Sequence, residues 1–279
     1  MPALNGTVVV NSNVNPLPFP GRIVKRDEPD AAVVRALQSR LNEVGCGPID
    51  VDGEFGDQTE SAVRLFQTRF LDMNDQPLKS DGEVGPLTWG ALFGQDTVPV
   101  ITEPASDLAQ AVLDVARSQI GVREQPLGSN RGPQVDEYVR AVGLNPSGDF
   151  PWCVCFAFFC YQKAAEQLGI ENPMIRTASV LDLWNRAGAA GVPRVLHDNA
   201  INNPALVKPG QIFIIDTPPP GGAGHAGLVE KVVSGKLVTI EGNTNDNGSR
   251  EGIGVFRREG VKGRKISSIN KGFIDFTRP

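Results

Sequence analysis

Phe150-Pro-Trp-Cys-Val-Cys-Phe-Ala-Phe-Phe-Cys-Tyr161 is an apolar run followed by no Pro or Gly until Gly169. It reads as a buried helix that Gly169 stops. Pro151 suits a first helical turn, where an N–H has no intrahelical acceptor. Cys153 therefore stands near the helix start. There the positive end of the dipole and the spare N–H donors lower a thiol's pKa and favour the thiolate, its nucleophilic form. A free cysteine is as readily a small core residue, so the assignment depends on what the rest of the chain supplies.

A cysteine nucleophile needs a base, and the chain has two histidines, His197 and His225. His197 lies in Leu196-His-Asp-Asn, which reads as a loop with nothing to fix the ring. His225 follows Gly221-Gly-Ala-Gly and opens Ala226-Gly-Leu-Val-Glu-Lys-Val-Val233, a strand that makes the imidazole rigid while the glycines keep its approach open. The base in turn needs a polar group on its other nitrogen. The strand turns near Ser234-Gly235 and returns from Lys236. A two-residue turn pairs 233 with 236 and brings His225 opposite about position 244. The return strand ends Glu241-Gly-Asn-Thr-Asn245. Glu241 and Asn243 are thus both candidate orienting groups, and because one residue of turn length shifts the pairing by one, the sequence leaves the register open.

Working outward, 106–119 has the apolar spacing of a helix, with Ser106 as N-cap and Leu108, Val112, Val115 and Ile120 on one face. A polar loop (123–134), a short helix to Val142, the Cys153 helix and a helix over 178–186 follow. Strands are expected at 211–216, 225–233, 236–241, 253–258 and 272–277. Helices first and strands second predict an α+β fold with helices packed on an antiparallel sheet.

Residues 1–100 carry 8 Lys and Arg against 14 Asp and Glu, and the rest 19 against 18. Neither part is basic, which argues against nucleic acid or anionic lipid as a partner. Cys153 and Cys155 point in different directions on one helix and do not form a bridge. Cys-x-Cys-x4-Cys with two histidines is poor spacing for zinc, so no metal or cofactor is expected. The N-terminus has neither the basic start of a Sec signal nor an apolar run able to span a bilayer.

The first hundred residues hold an internal repeat. Asp52-Gly-Glu-Phe-Gly-Asp-Gln-Thr59 recurs as Asp81-Gly-Glu-Val-Gly-Pro-Leu-Thr88. Each copy makes a tight Asp-Gly turn, allows a left-handed backbone at Gly, and starts a helix directly after. Helices are expected at 30–44 (inward: Val33, Val34, Leu37, Leu41, Val44), 57–70 (Ala62, Val63, Leu65, Phe66, Phe70) and 86–92. Asp50 and Asp52 give an incomplete EF-hand pattern, so calcium is not expected there. Residues 1–25 read as an extended arm, 26–94 as a three-helix domain, 95–105 as a linker and 106–279 as the second domain.

These motifs carry two resemblances. Leu37, Gln38, Leu41, the doubled Asp-Gly-x-x-Gly-x-x-Thr, Ala62-Val63, Phe66-Gln67, Trp89 and Leu92 resemble the type 1 peptidoglycan-binding domain, a small three-helix module that binds bacterial cell wall. Pro151-Trp-Cys153 with Phe156, Gly224-His-Ala-Gly-Leu-Val229 and Ile240-Glu-Gly-Asn243 resemble the CHAP family, cysteine- and histidine-dependent amidohydrolases and peptidases of papain-like fold. Ala116-Arg-Ser-Gln-Ile-Gly121 and Gly128-Ser-Asn match its leading region. The resemblance implies Cys153 as nucleophile, His225 as base, Glu241 and Asn243 as orienting groups, and Cys155 as core. Some members bind calcium through an acidic loop before the cysteine. Here only Asp149 stands there, so calcium is not implied.

The implied activity is thiol-dependent hydrolysis of stem-peptide amides in peptidoglycan, with the N-acetylmuramoyl-L-alanine amidase slightly favoured over the endopeptidase. The implied partner is peptidoglycan, met by a monomer made in the cytoplasm. The protein then reaches the wall by holin-type release, as a phage lysin, or by secretion-system delivery, as an effector with an immunity protein. The alternatives are a non-catalytic wall-docking protein and a papain-like protease acting on proteins.

Overall fold

The computed structural model describes residues 17–72, 75–148, 150–217, 224–233, 235–245 and 252–278. The chain is α+β and forms two compact units, the main boundary falling between Pro99 and Val100 and Ile201–Asn203 grouping with the first.

The first unit is built on α1 (Ala31–Glu43), α2 (Asp57–Arg69) and α3 (Pro86–Phe93). Asp30 caps α1, its Oδ1 accepting the Ala32 N–H at 3.0 Å. Val34, Leu37, Leu41, Val63, Phe66, Trp89 and Leu92 form the centre of the core. Leu65, expected inward, is 37% exposed: it lies just beyond the buried stripe of Ala62, Val63 and Phe66. Residues 17–25 are packed rather than extended away. Phe19 is buried edge-on to Trp89, and Val24 pairs with Val84. The expected arm over 1–16 lies outside the described residues.

The sequence repeat is a structural repeat. Gln38 Nε2 donates to Asp52 Oδ1 (2.7 Å), Glu54 O (3.1 Å) and Thr59 Oγ1 (3.0 Å), and its Oε1 accepts the Gly53 N–H (2.9 Å). Gln67 repeats the set with Asp81 Oδ1 (3.1 Å), Glu83 O (2.8 Å), Thr88 Oγ1 (3.3 Å) and Gly82 N–H (2.9 Å). Gly53 and Gly82 have φ of 86° and 76°, which the turns require. One buried amide thus pins each turn to the helix before it.

The stretch read as a linker is partly ordered into a 3-10 turn at Gln95–Thr97 and strand β1 (Val100–Ile101). The second unit continues with α4 (Asp107–Ser118), α5 (Pro133–Ala141), α6 (Cys153–Leu168), α7 (Val180–Ala189), β2 (Arg194–Leu196), α8 (His197–Asn202), β3 (Ile212–Ile215), β4 (His225–Val233), β5 (Lys236–Thr244), β6 (Gly254–Arg258), β7 (Arg264–Lys265) and β8 (Gly272–Ile274). The sheet is antiparallel, in the order β2-β8-β3-β4-β5-β6, with β1 on β4 and β7 on β5.

Helix α6 is buried on every side from Cys153 to Tyr161, packed between α4 and α5 and the strands β4 and β5. That accounts for its unbroken apolar run. Gly169 ends it in the left-handed region, at φ 67°. Pro151 precedes the N-cap, Trp152, rather than sitting in the first turn. Ile120, expected on the apolar face of α4, lies beyond its end and is 41% exposed.

Candidate active site

Cys153 is the first residue of α6, and the N-cap Trp152 makes no side-chain bond to the first turn. The opening N–H groups of the helix therefore have no capping side chain. The Val154 and Ala226 N–H groups donate toward the Cys153 sulfur. Trp152 is fixed by its indole, whose Nε1 donates to Glu124 Oε1 at 2.8 Å in the interior.

The β4–β5 hairpin brings the other groups to that sulfur. Val233 pairs with Lys236, Val232 with Leu237 and Lys231 with Val238, as a two-residue turn demands. The register then slips at Glu230, so that Val229 pairs with Thr239 and Leu228 with Ile240. This bulge carries His225 one position from the expected 244, toward 243, and sets Glu241 diagonally on the same face. His225 Nε2 lies 2.9 Å from Glu241 Oε2. The imidazole also hydrogen-bonds Cys153.

The three titrations are linked. Burial opposes charge on His225, but the hydrogen bonds to Cys153 and Glu241 and the Glu241 charge outweigh it and raise the pKa to about 9. Burial likewise opposes the Cys153 thiolate, and the His225 bond and charge, with the two N–H donors, bring its pKa below the ordinary thiol value. Glu241, wholly buried, is held well below the carboxylate range by His225 and Arg264 against the cost of burial. These directions favour a thiolate–imidazolium pair backed by an ionised carboxylate. Cys155, two residues on, is buried in the core, and burial followed by the Cys153 charge pushes it up to about 12.

Of the two expected orienting residues, Glu241 takes the imidazole nitrogen. Asn243 is buried with φ 54°, and its Oδ1 has no hydrogen-bond partner among the described residues. His197 is not in a loop: it opens α8, and its Nδ1 lies 2.8 Å from Ile269 O, a structural contact.

Sequence reasoning missed the groups behind Glu241. Arg264, on β7, donates Nε to Oε1 and Nη2 to Oε2, each at 2.6 Å. Thr239 Oγ1 donates to Oε1 at 2.6 Å, and Arg258 Nε stands 3.7 Å from it. The Arg264 guanidinium also lies over the Phe213 ring, 5.1 Å from its centroid, and that ring neighbours His225 at 5.8 Å. A bidentate Arg far along the chain leaves no local pattern to read. Gly227 is part of the same construction: a Cβ there would come within 2.7 Å of Phe213 Cε1 and 2.8 Å of Glu241 Cγ.

A cavity of about 310 Å³ opens beside Cys153. Among the described residues, no three His, Cys, Asp or Glu side chains are grouped as a metal ion requires, and no helix is long and apolar enough to cross a membrane. Asp149, the one acid before the cysteine, lies outside the described residues.

Family comparison matches residues 30–92 to a "putative peptidoglycan binding domain" and residues 145–243 to the CHAP domain. No curated protein and no solved structure matches the chain. Cys153, His225, Glu241 and Asn243 all fall inside the second match. The chain thus carries a peptidoglycan-binding domain followed by a CHAP domain, a combination that supports a peptidoglycan hydrolase.

Proposed function

We propose that this protein hydrolyses stem-peptide amides of peptidoglycan, with Cys153 as nucleophile and His225 as acid and base. The observation that carries the reading is the buried chain Cys153–His225–Glu241 at the start of α6. The Cys153 thiolate adds to the amide carbonyl, and backbone N–H groups at the helix start stabilise the oxyanion. His225 gives its proton to the leaving nitrogen as the C–N bond breaks. Water then attacks the thioester, His225 takes the water's proton, and the acid and the thiolate–imidazolium pair are restored. Glu241 keeps the imidazole oriented and favours its charged form. Asn243, two residues from Glu241 and with a buried Oδ1 that has no partner among the described residues, is the second polar group of the site.

The wall-binding domain raises the local concentration of the hydrolase on an insoluble polymer. The protein works as a monomer, released by a phage or delivered by a secretion system, and as a delivered toxin it requires an immunity protein. The test is digestion of purified peptidoglycan by the wild type and by Cys153→Ala, with products read by mass spectrometry. Soluble fragments that vanish in the variant support the reading. No fragments from the wild type, with sedimentation on sacculi intact, would leave a wall-docking protein.

A further inference from the structure

Glu124 stands apart from the other buried acids of the second unit. Glu230 is held by Arg117 and Arg257, Glu241 by Arg264 and Asp275 by Arg278. Glu124 is 1% exposed, yet its Oε2 has no partner among the described residues. Its Oε1 accepts a neutral donor, the Trp152 indole N–H, at 2.8 Å. A carboxyl buried on those terms costs stability rather than adding it. What it supplies is position, because of what stands on either side of it.

On one side Glu124 belongs to the sheet. Residues 121–124 run along β6: the Gly121 N–H donates to Val255 O (3.1 Å), the Val255 N–H to Val122 O (2.9 Å) and the Glu124 N–H to Ile253 O (2.9 Å). β6 pairs in turn with β5, Phe256 lying opposite Glu241. On the other side, Trp152 is the N-cap of α6 and the residue before Cys153. Its indole is wholly buried, with its centroid 5.6 Å from that of the Tyr138 ring. A Cβ on Gly242 would lie 2.8 Å from Trp152 Cζ3 and 2.6 Å from Phe156 Cβ. The indole and the first turn of α6 therefore rest on the β5 backbone between Glu241 and Asn243. Packing on Gly242 sets how near the helix start comes to the strand. Packing is non-directional, and the Nε1–Oε1 bond supplies the direction in which the indole lies.

We propose that Glu124 is a positioning residue for the thiol: through the Trp152 indole it ties the start of α6 to the sheet that carries His225 and Glu241, and so holds the Cys153 sulfur at the imidazole. Its effect on turnover rests on the hydrolase reading above, whereas its effect on the thiol can be read without it. Glu124 acts through Trp152 rather than on the substrate. Loss of the bond frees the helix start to shift, and a displacement on the order of 1 Å is enough to remove much of the rate.

The experiment uses the full chain as wild type, Glu124→Gln, Glu124→Met, Trp152→Phe and the Glu124→Met/Trp152→Phe pair, each checked for folding by circular dichroism. Gln keeps an acceptor for the indole and Met does not. On purified sacculi, Glu124→Met is expected to lower kcat about 10–100-fold with KM within about 2-fold of wild type, and Glu124→Gln to recover most of that loss. The double variant is expected to lose no more than the larger single loss, because both changes remove the same bond. Iodoacetamide labelling of Cys153, followed against pH by peptide mapping, is expected to need a higher pH in Glu124→Met than in wild type or Glu124→Gln. If Glu124→Met does not fold, Trp152→Phe carries the same expectations for kcat and labelling. A folded Glu124→Met with wild-type kcat and labelling, merely less stable, overturns the positioning role, as does a Gln variant no better than Met. No soluble product from the wild type overturns the hydrolase reading alone. The labelling profile then decides the positioning role, and an unchanged profile overturns it.

Discussion

Arg264 holds Glu241 by two parallel bonds of 2.6 Å, while the same carboxylate meets His225 at 2.9 Å. Glu241 is wholly buried, so its charge depends on that cation. Removing one partner of a buried pair leaves the other uncompensated. Arg264→Met is therefore expected to destabilise the catalytic domain by about 3–5 kcal/mol, measured by urea unfolding. Arg264→Lys keeps the charge without the planar fork and is expected to fall between the two. A Met variant as stable as wild type would show that Arg264 does not support the carboxylate.

The pH dependence has a defined sign. With Cys153 as nucleophile and His225 as acid, kcat/KM is expected to rise as Cys153 ionises, below the ordinary thiol value, and to fall as His225 loses its proton at about 9. Glu241→Gln removes a charge that raises His225, so the alkaline limb is expected to move to lower pH. Stability follows the same groups. The folded His225 pKa exceeds its ordinary 6.5, so its contribution is complete below that value and lost as pH rises through about 9. Glu241 is depressed, so its contribution is present above its ordinary 4.5 and lost as pH falls. Unfolding midpoints at pH 5, 7 and 10 check both.

The thiols should differ in reactivity. Cys153 opens onto the cavity with a lowered pKa, whereas burial raises Cys155 to about 12 and raises Cys160 as well. Iodoacetamide at neutral pH is expected to label Cys153 first, with activity lost in step, as peptide mapping would record. Prior labelling of Cys155 would reverse the assignment.

Gly227 leaves room for the carboxylate. The Cβ of Gly227→Ala would meet Glu241 Cγ at 2.8 Å and Phe213 at 2.7 Å. Overpacking is expected to cost about 1–3 kcal/mol, and a displaced orienting group about 100-fold in kcat. A Gly227→Ala variant with unchanged kcat would show that the carboxylate tolerates the shift.

Gln38 and Gln67 make matched sets of four hydrogen bonds. Each Gln→Ala change is expected to lower the stability of the peptidoglycan-binding domain by about 2–4 kcal/mol, because buried donors and acceptors lose their partners. Thermal melts of the two variants should agree within about 1 kcal/mol if the repeat is energetic as well as geometric.

The parts legible in the sequence were those with local patterns. The doubled Asp-Gly motif, the uninterrupted helix from Cys153 and the strand opened by His225 each follow from turn chemistry or periodicity. The choice between Glu241 and Asn243 was not legible, because the two share one face of the strand and the bulge at Glu230 moves the register by one residue. Glu230 is held there by Arg117 at 2.8 Å and by Arg257, two partners distant in sequence. Arg264 and the cavity wall at Leu144 and Val180–Leu181 escaped for the same reason: they reach the site through tertiary packing alone.

The strand order carries a consequence for synthesis. β8, at Gly272–Ile274, is not at an edge but between β2 and β3, pairing Ile274 with both Arg194 and Ile212. While residues 272–274 are still inside the ribosome, β3 has an open edge and β2 has no neighbour. Arg264 emerges only shortly before them, so Glu241 also waits for its cation. A nascent chain can complete the wall-binding domain before its catalytic sheet, which closes only once β8 is free to pair. Closure of the sheet is thereby tied to the emergence of Gly272–Ile274.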